Sequence, residues 1–290
     1  MRYLDPKADL TFKRVFGEHP NLVRSFLNAL LPLSDNQMIE SIEYLPTELI
    51  PESPWRKFSI VDVRCKDSLG RQFIVEMQML WSPEFKTRVL FNASKAYVRQ
   101  APKGIEYGQL QPVYSLNLVN EIFEPDLKDY YHHYRMVHEK DSNRVIEGLQ
   151  LVFIELPKFK PSSQAHKKMQ ELWLRFLTEI SSGTESIDPE LTANSEVAQA
   201  IEELRESAFD DKEIEAYDKF WDGISLEKSL IGSAEKKGRE EGRMEGRMEG
   251  REEGRMEEKA DIARKLKSLG LPSEQIAAAT GLDKEHINSF

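Results

Sequence analysis

The chain has 290 residues, 40% of them hydrophobic and 31% charged. That is enough apolar content for a real core, with more charge than the roughly 25% of an ordinary globular domain. A single cysteine, Cys65, excludes an intramolecular disulfide and a cysteine-built zinc site. The opening MRYLDPKADLTFKRVFG has no leader-like apolar stretch, and no run approaches the roughly 20 apolar residues of a membrane span. The expectation is a soluble protein of the reducing cytoplasm. Residues 1–160 hold 21 basic and 21 acidic side chains, leaving 19 and 29 beyond, so the net charge of −10 belongs to the second half. The first half is neutral and leaves room for a nucleic-acid partner.

In chain order, residues 8–31 carry Leu10, Phe12, Val15, Phe16, Leu22, Val23, Phe26, Leu27, Leu30 and Leu31 at helical spacing. Gly17–Pro20 predicts a break and Pro32 a stop. A strand is expected over 42–45, then a proline-rich stretch. Residues 58–66 and 71–80 are β-rich runs flanking Asp67-Ser68-Leu69-Gly70, a hairpin signature. Residues 82–100 read as an amphipathic helix with Phe85, Val89, Leu90, Ala93, Ala96 and Tyr97 on one face, ended near Gly104. Residues 112–120 read as a buried strand, and two more strands are expected over 130–138 and 149–156.

From residue 162 the chain turns helical: 165–180 is a clear helix, and the acidic stretch 183–235 keeps apolar residues at helical spacing. A repeat follows, with glycine at 238, 242, 246, 250 and 254, each followed by arginine and interleaved with glutamates. Each glycine weakens a helix by about 1 kcal/mol, whereas the Arg–Glu spacing supports one. Two readings stand: a helical self-association segment, or a solvated flexible tether. Residues 260–290 form a short helical pair, with Ser273 capping its second helix and a turn at Gly281. Such pairs occur in DNA readers and in docking modules. The final DKEHINSF offers little that suits base edges.

The hairpin carries the chemistry. With the loop at 68–70, Asp67 faces Arg71, and counting back sets Asp62 opposite Glu76. Glu76 and Gln78 share a face by the period of two. Facing carboxylates repel, and their apolar flanks add a desolvation cost. Two readings of this spacing are open. The pair holds a divalent cation through oxygen ligands, whose waters supply a nucleophile; or both carboxylates face solvent, paired with Arg64 or Arg71. The histidines offer little, since His132 and His133 point to opposite faces of a strand. Cys65 lies on the face opposite Asp62 and reads as core. No phosphate-binding glycine loop or nucleophile elbow is present.

Asp62 followed by Glu76-Met77-Gln78 on the next strand resembles the D…(D/E)-x-K signature of the PD-(D/E)xK nucleases. Over nearly the whole length the chain is similar to the Rpn-type recombination-promoting nucleases, a transposase-like branch of that superfamily. The resemblance lies in KADLTFKRVFG, the SIVDVRCKD–GRQFIVEMQ hairpin, RVLFNASKAYVRQ, YGQLQPVYSLNLVN and the GREEGR tail. It implies an α/β, restriction-endonuclease-like core: a mixed central sheet with helices on both faces, followed by a helical C-terminal extension. It also implies Mg²⁺- or Mn²⁺-dependent DNA cleavage linked to recombination or mobile DNA. Asp62 and Glu76 would hold the metal and Gln78 would orient the attacking water. Gln78 stands where most of the superfamily has lysine, and it supplies neither positive charge nor a proton. Slow turnover or a lysine borrowed from elsewhere is the consequence. Lys13 and Arg88 are candidates to contact phosphate, and Asp9 to serve a second metal.

The expected organisation is a nuclease core over 1–160, a helical acidic region over 161–235 packed on it, the repeat over 236–259 and the helical pair over 260–290. A homodimer is expected, since many nucleases of this class cut both strands as pairs. Two other functions compete: a nuclease-fold protein inactivated through Gln78 that acts as an assembly factor through its helical tail, and a DNA-binding regulator using residues 270–290.

Overall fold

The computed structural model describes residues 2–49, 59–101, 104, 106–161 and 168–289. The chain divides into two compact units, 1–225 and 226–290.

The first unit opens with α1 (Asp9–Glu18) and α2 (Pro20–Leu30). The break falls at His19, whose backbone is extended, and Pro20 takes the first helical position, where an N–H would have no partner anyway. Then come β1 (Glu43–Tyr44), β2 (Glu48–Leu49), β3 (Ser59–Ile60), β4 (Val63–Lys66), β5 (Gln72–Gln78), α3 (Phe85–Val98), β6 (Val113–Val119), β7 (Tyr131–His138) and β8 (Asp141–Glu155). Six strands form one mixed sheet in the order β1-β4-β5-β6-β8-β7. The pairs β1–β4, β4–β5 and β8–β7 are antiparallel, while β5–β6 and β6–β8 are parallel. Parallel β5 and β6 require a crossover, which α3 supplies.

Helices cover both faces. On one, Val63, Cys65, Phe73, Val75, Leu116, Leu118, Val152 and Ile154 share a core with Phe12, Phe16, Phe26, Trp173, Phe176 and Ile201. The last three belong to α4 (Lys168–Glu179) and α6 (Ser195–Glu202), with the one-turn α5 (Pro189–Thr192) between them. On the other face Ile74 and Val113 pack on Ala93 and Ala96, and Val119 and Phe153 on Phe85 and Val89. The helices beyond residue 168 therefore complete the same core as the first half. Trp173, fully buried, meets Phe26 and Phe176 edge-on at 5.5 and 5.7 Å.

Three strands differ from expectation, one of them β2, which forms within the stretch expected only as proline-rich. The run expected over 58–66 is broken: β3 pairs with β2, and a bend at Asp62 separates it from β4. Its start at Phe58 lies outside the described residues. β8 begins eight residues earlier than expected, because 141–148 extends the β7–β8 hairpin beyond the core as a mostly exposed, polar ribbon. The first residues of the helix expected over 165–180 likewise fall outside the described residues.

α7 (Asp211–Ser268) begins in the first unit, where Tyr217, Phe220 and Trp221 pack with Leu4, Ala8 and Phe209. In the second unit it stays helical through the glycine repeat, with 226–258 exposed throughout. Of the two readings of the repeat, the backbone is helical. α8 (Ser273–Thr280) and α9 (Lys284–Asn288) follow, and Ala263, Ile276, Leu282 and Ile287 form their small core. Ser273 is not the cap: Pro272 occupies that position, and the Ser273 hydroxyl donates to Asn288 Oδ1. Gly281 adopts a left-handed φ of 71° that an L side chain rarely adopts, which fits the turn there. Among the described residues no helix is long and apolar enough to cross a membrane.

Candidate metal-binding active site

The tight turn sets the site's geometry. Asp67 N–H donates to Arg71 O at 3.1 Å, and Gly70 takes the left-handed φ of 82° that closes the loop. Pairing then runs Lys66↔Gln72 to Val63↔Val75. One further step sets Asp62 opposite Glu76, the register expected from the loop. Asp62 does not stand upright as a strand residue would. It bends, and its Oδ2 accepts the Met77 amide at 2.8 Å, replacing a backbone partner in the ladder. That substitution ends β4 at Val63.

Asp62, Glu76 and Gln78 line one cleft of about 790 Å³ with Ser59, Ile60, Thr87, Arg88, Phe91 and Asn92. Arg64 and Arg71, the cations of the solvent-facing reading, are committed elsewhere. Arg71 pairs with Asp67 at 2.6 Å, and Arg64 bonds Gln72 Oε1 and Pro46 O. Glu76 is buried at 7% exposure with no ion pair among the described residues. Burial first, and the neighbouring Asp62 charge second, push its carboxyl up to about 7 against the partly opposing Asn92 hydrogen bond and Arg88. Burial also raises the Asp62 carboxyl, opposed by the Met77 amide. Two adjacent carboxylates that both resist ionisation are the electrostatic environment a cation would relieve.

The remaining candidates fall into two groups. Arg88 lies in the cleft, donating to Gln78 Oε1 at 2.6 Å with its guanidinium over the Phe85 ring. The Gln78 amide donates to Leu80 O. Gln78 therefore anchors Arg88 with its carbonyl, and only one amide hydrogen is left for another partner. Asp9 and Lys13 line a different cleft, of about 500 Å³, and pair with each other at 2.7 Å. Their charges still register at Asp62.

Asn92 is a site residue that the sequence reading missed. It is 1% exposed, and its Nδ2 donates to Glu76 Oε1 at 3.1 Å. Its Oδ1 is buried and has no hydrogen-bond partner among the described residues, an arrangement that costs about 1–3 kcal/mol. A signal was present: Asn92 continues the stripe Phe85, Val89, Ala96 at helical spacing, and a polar residue on a buried stripe asks for a partner.

A second buried carboxylate, Glu155, is by contrast fully partnered. It accepts from His132, Lys158 and the amides of Phe123 and Glu124. Burial opposes its charge, yet Lys158 and the other donors hold its carboxyl below the ordinary range. It ties the segment after β6 to the end of β8.

Among the described residues no three His, Cys, Asp or Glu side chains cluster as a metal site. The oxygen groups that line the cleft together, two carboxylates and an amide oxygen with no partner among the described residues, are all hard donors. They fit a Mg²⁺-like ion, which takes one or two carboxylates and keeps several waters.

Residues 6–226 match the profile of the PD-(D/E)XK nuclease family transposases. The chain belongs to this family. The match spans the sheet, both helical layers and the start of α7, and it accounts for the restriction-endonuclease-like core seen here. Membership of a PD-(D/E)XK nuclease family of transposases supports a nuclease or mobile-DNA role. No curated protein and no solved structure matches the chain.

Proposed function

We propose that this PD-(D/E)XK protein is a metal-dependent DNA endonuclease that hydrolyses phosphodiesters, acting in recombination or on mobile DNA. The observation that carries this reading is the pairing of Asp62 with Glu76. They are opposed across the hairpin, lie in one cleft, have no arginine or lysine partner among the described residues, and are both shifted towards the neutral form. Asp62 and Glu76 would hold Mg²⁺ or Mn²⁺. When bound, such an ion supplies a water of lowered pKa and neutralises charge on the phosphodiester. The chain's own part is positional. Asn92 fixes one Glu76 oxygen, the Met77 amide fixes one Asp62 oxygen, and Arg88, held by Gln78, presents a cation to a phosphate entering the cleft.

A second reading has its own observation. Gln78 spends its carbonyl on Arg88 and an amide hydrogen on Leu80 O, and it carries no positive charge. A chain disabled at this position would keep the fold and act as an assembly factor. Plasmid nicking with Mg²⁺ or Mn²⁺, compared with Asp62→Ala and Glu76→Ala, separates the two. Metal-dependent nicking lost in both variants supports the endonuclease. No nicking by folded wild type with either metal supports the assembly factor.

A further inference from the structure

We propose that Asn92 Oδ1 is a third protein oxygen ligand of the cation held by Asp62 and Glu76. This rests on the cation-dependent reading of the cleft given above.

Asn92 sits on α3 with its side chain lining the cleft, on the stripe that otherwise buries Phe85, Val89 and Ala96. Apolar residues fill the neighbouring positions of that stripe, so burial alone does not call for an amide. Its orientation is set by Glu76: the amide nitrogen donates to Oε1, and the orientation that gives Glu76 a donor leaves Oδ1 without one. Among the described residues, the cation that lines the cleft, Arg88, is committed to Gln78. That acceptor therefore belongs to the same cleft as two carboxylates, each with one oxygen hydrogen-bonded among the described residues. Asp62, Glu76 and Asn92 line one cleft, and two carboxylates beside a buried amide oxygen that has no hydrogen-bond partner among the described residues make an oxygen-rich lining that suits a hard cation.

The donor set makes chemical sense. Two carboxylates supply the charge. A neutral amide oxygen adds a third ligand without the further repulsion that a third buried carboxylate would bring. An octahedral ion would keep three positions for water and a phosphate oxygen.

The test counts waters on the ion. Eu³⁺ is bound to the full-length protein, and its luminescence lifetimes in H₂O and D₂O report the number of coordinated waters. In parallel, Mn²⁺ affinity is measured by electron paramagnetic resonance. Asn92→Ala is expected to add one water to Eu³⁺ and to weaken Mn²⁺ about tenfold. Asn92→Asp, which keeps an oxygen in place, is expected to retain the wild-type water count and to bind Mn²⁺ more tightly. It also serves where the alanine variant folds poorly. An unchanged water count in Asn92→Ala, with Asp62→Ala and Glu76→Ala still abolishing binding, would overturn the ligand role alone. Failure of the wild type to bind either ion would overturn the cation reading and this inference with it.

Discussion

Replacing Glu76 by Gln removes a charge and little else. The two side chains have the same shape, and the Gln carbonyl can still accept from Asn92. The wild-type carboxyl is raised from its ordinary 4.5 to about 7, chiefly by burial. A carboxyl raised on folding contributes stability that is present in full below its unfolded value and lost as pH rises through its folded value. The metal-free protein should therefore weaken between pH 4.5 and about 7. At about 1.4 kcal/mol per pH unit, the loss is on the order of 3 kcal/mol. Asp62, raised in the same direction, adds to the slope. Glu76→Gln should match wild type near pH 4.5 and exceed it by up to about 3 kcal/mol at pH 8, or roughly 6–12 °C in Tm for a unit of this size. Urea denaturation in EDTA at both pH values, followed by tryptophan fluorescence, reads this directly. Adding Mn²⁺ at pH 8 should stabilise the wild type, by about 2.7 kcal/mol at a hundredfold excess over Kd, and leave Glu76→Gln unmoved. Parallel pH profiles for the two proteins would refute the electrostatic account of the cleft.

Arg88 is exposed, so Arg88→Ala should leave stability unchanged. In Ca²⁺, it should weaken DNA binding and shrink the salt dependence of log K by about one unit, the signature of one lost phosphate contact; an unchanged slope would remove Arg88 from the DNA path. Gln78→Ala frees the Arg88 guanidinium and should slow nicking about tenfold, in keeping with a hydrogen bond to a charged group. Mn²⁺ affinity should stay the same, and a fall in it would place Gln78 among the ion's ligands instead. A chain ended at Ser225 retains Tyr217 and its contacts with Leu4 and the Asp5 amide, so it should unfold at the wild-type midpoint of the first unit. DNA affinity that survives this cut would dismiss residues 270–290 as the DNA reader, and sedimentation of both lengths shows whether pairing of copies depends on the repeat.

The site is legible in the sequence as far as local geometry reaches. A turn at 68–70 and strict alternation set one register, so the opposition of Asp62 to Glu76 follows from counting. The helices 8–31 and 82–100 and the buried strand at 112–120 are legible for the same reason: their periodicity repeats over many residues, and burial of one face or both is written into each of them.

What the sequence alone determined, then, is the order of elements, the hairpin register and the family signature. Each is written in local periodicity, turn chemistry or short motifs. Tertiary structure decided the rest, because it turns on which groups meet across elements. It broke the first hairpin strand at Asp62, where a side chain took the place of a backbone acceptor for Met77. It sent Asp9 and Lys13 to a separate cleft and brought Arg88 against Gln78. It also set Asn92, sixteen residues beyond Glu76, beside that carboxylate with an oxygen left bare. Hydrogen-bond satisfaction is a property of the packed interior, and no periodicity in the chain encodes which acceptor will lack its donor.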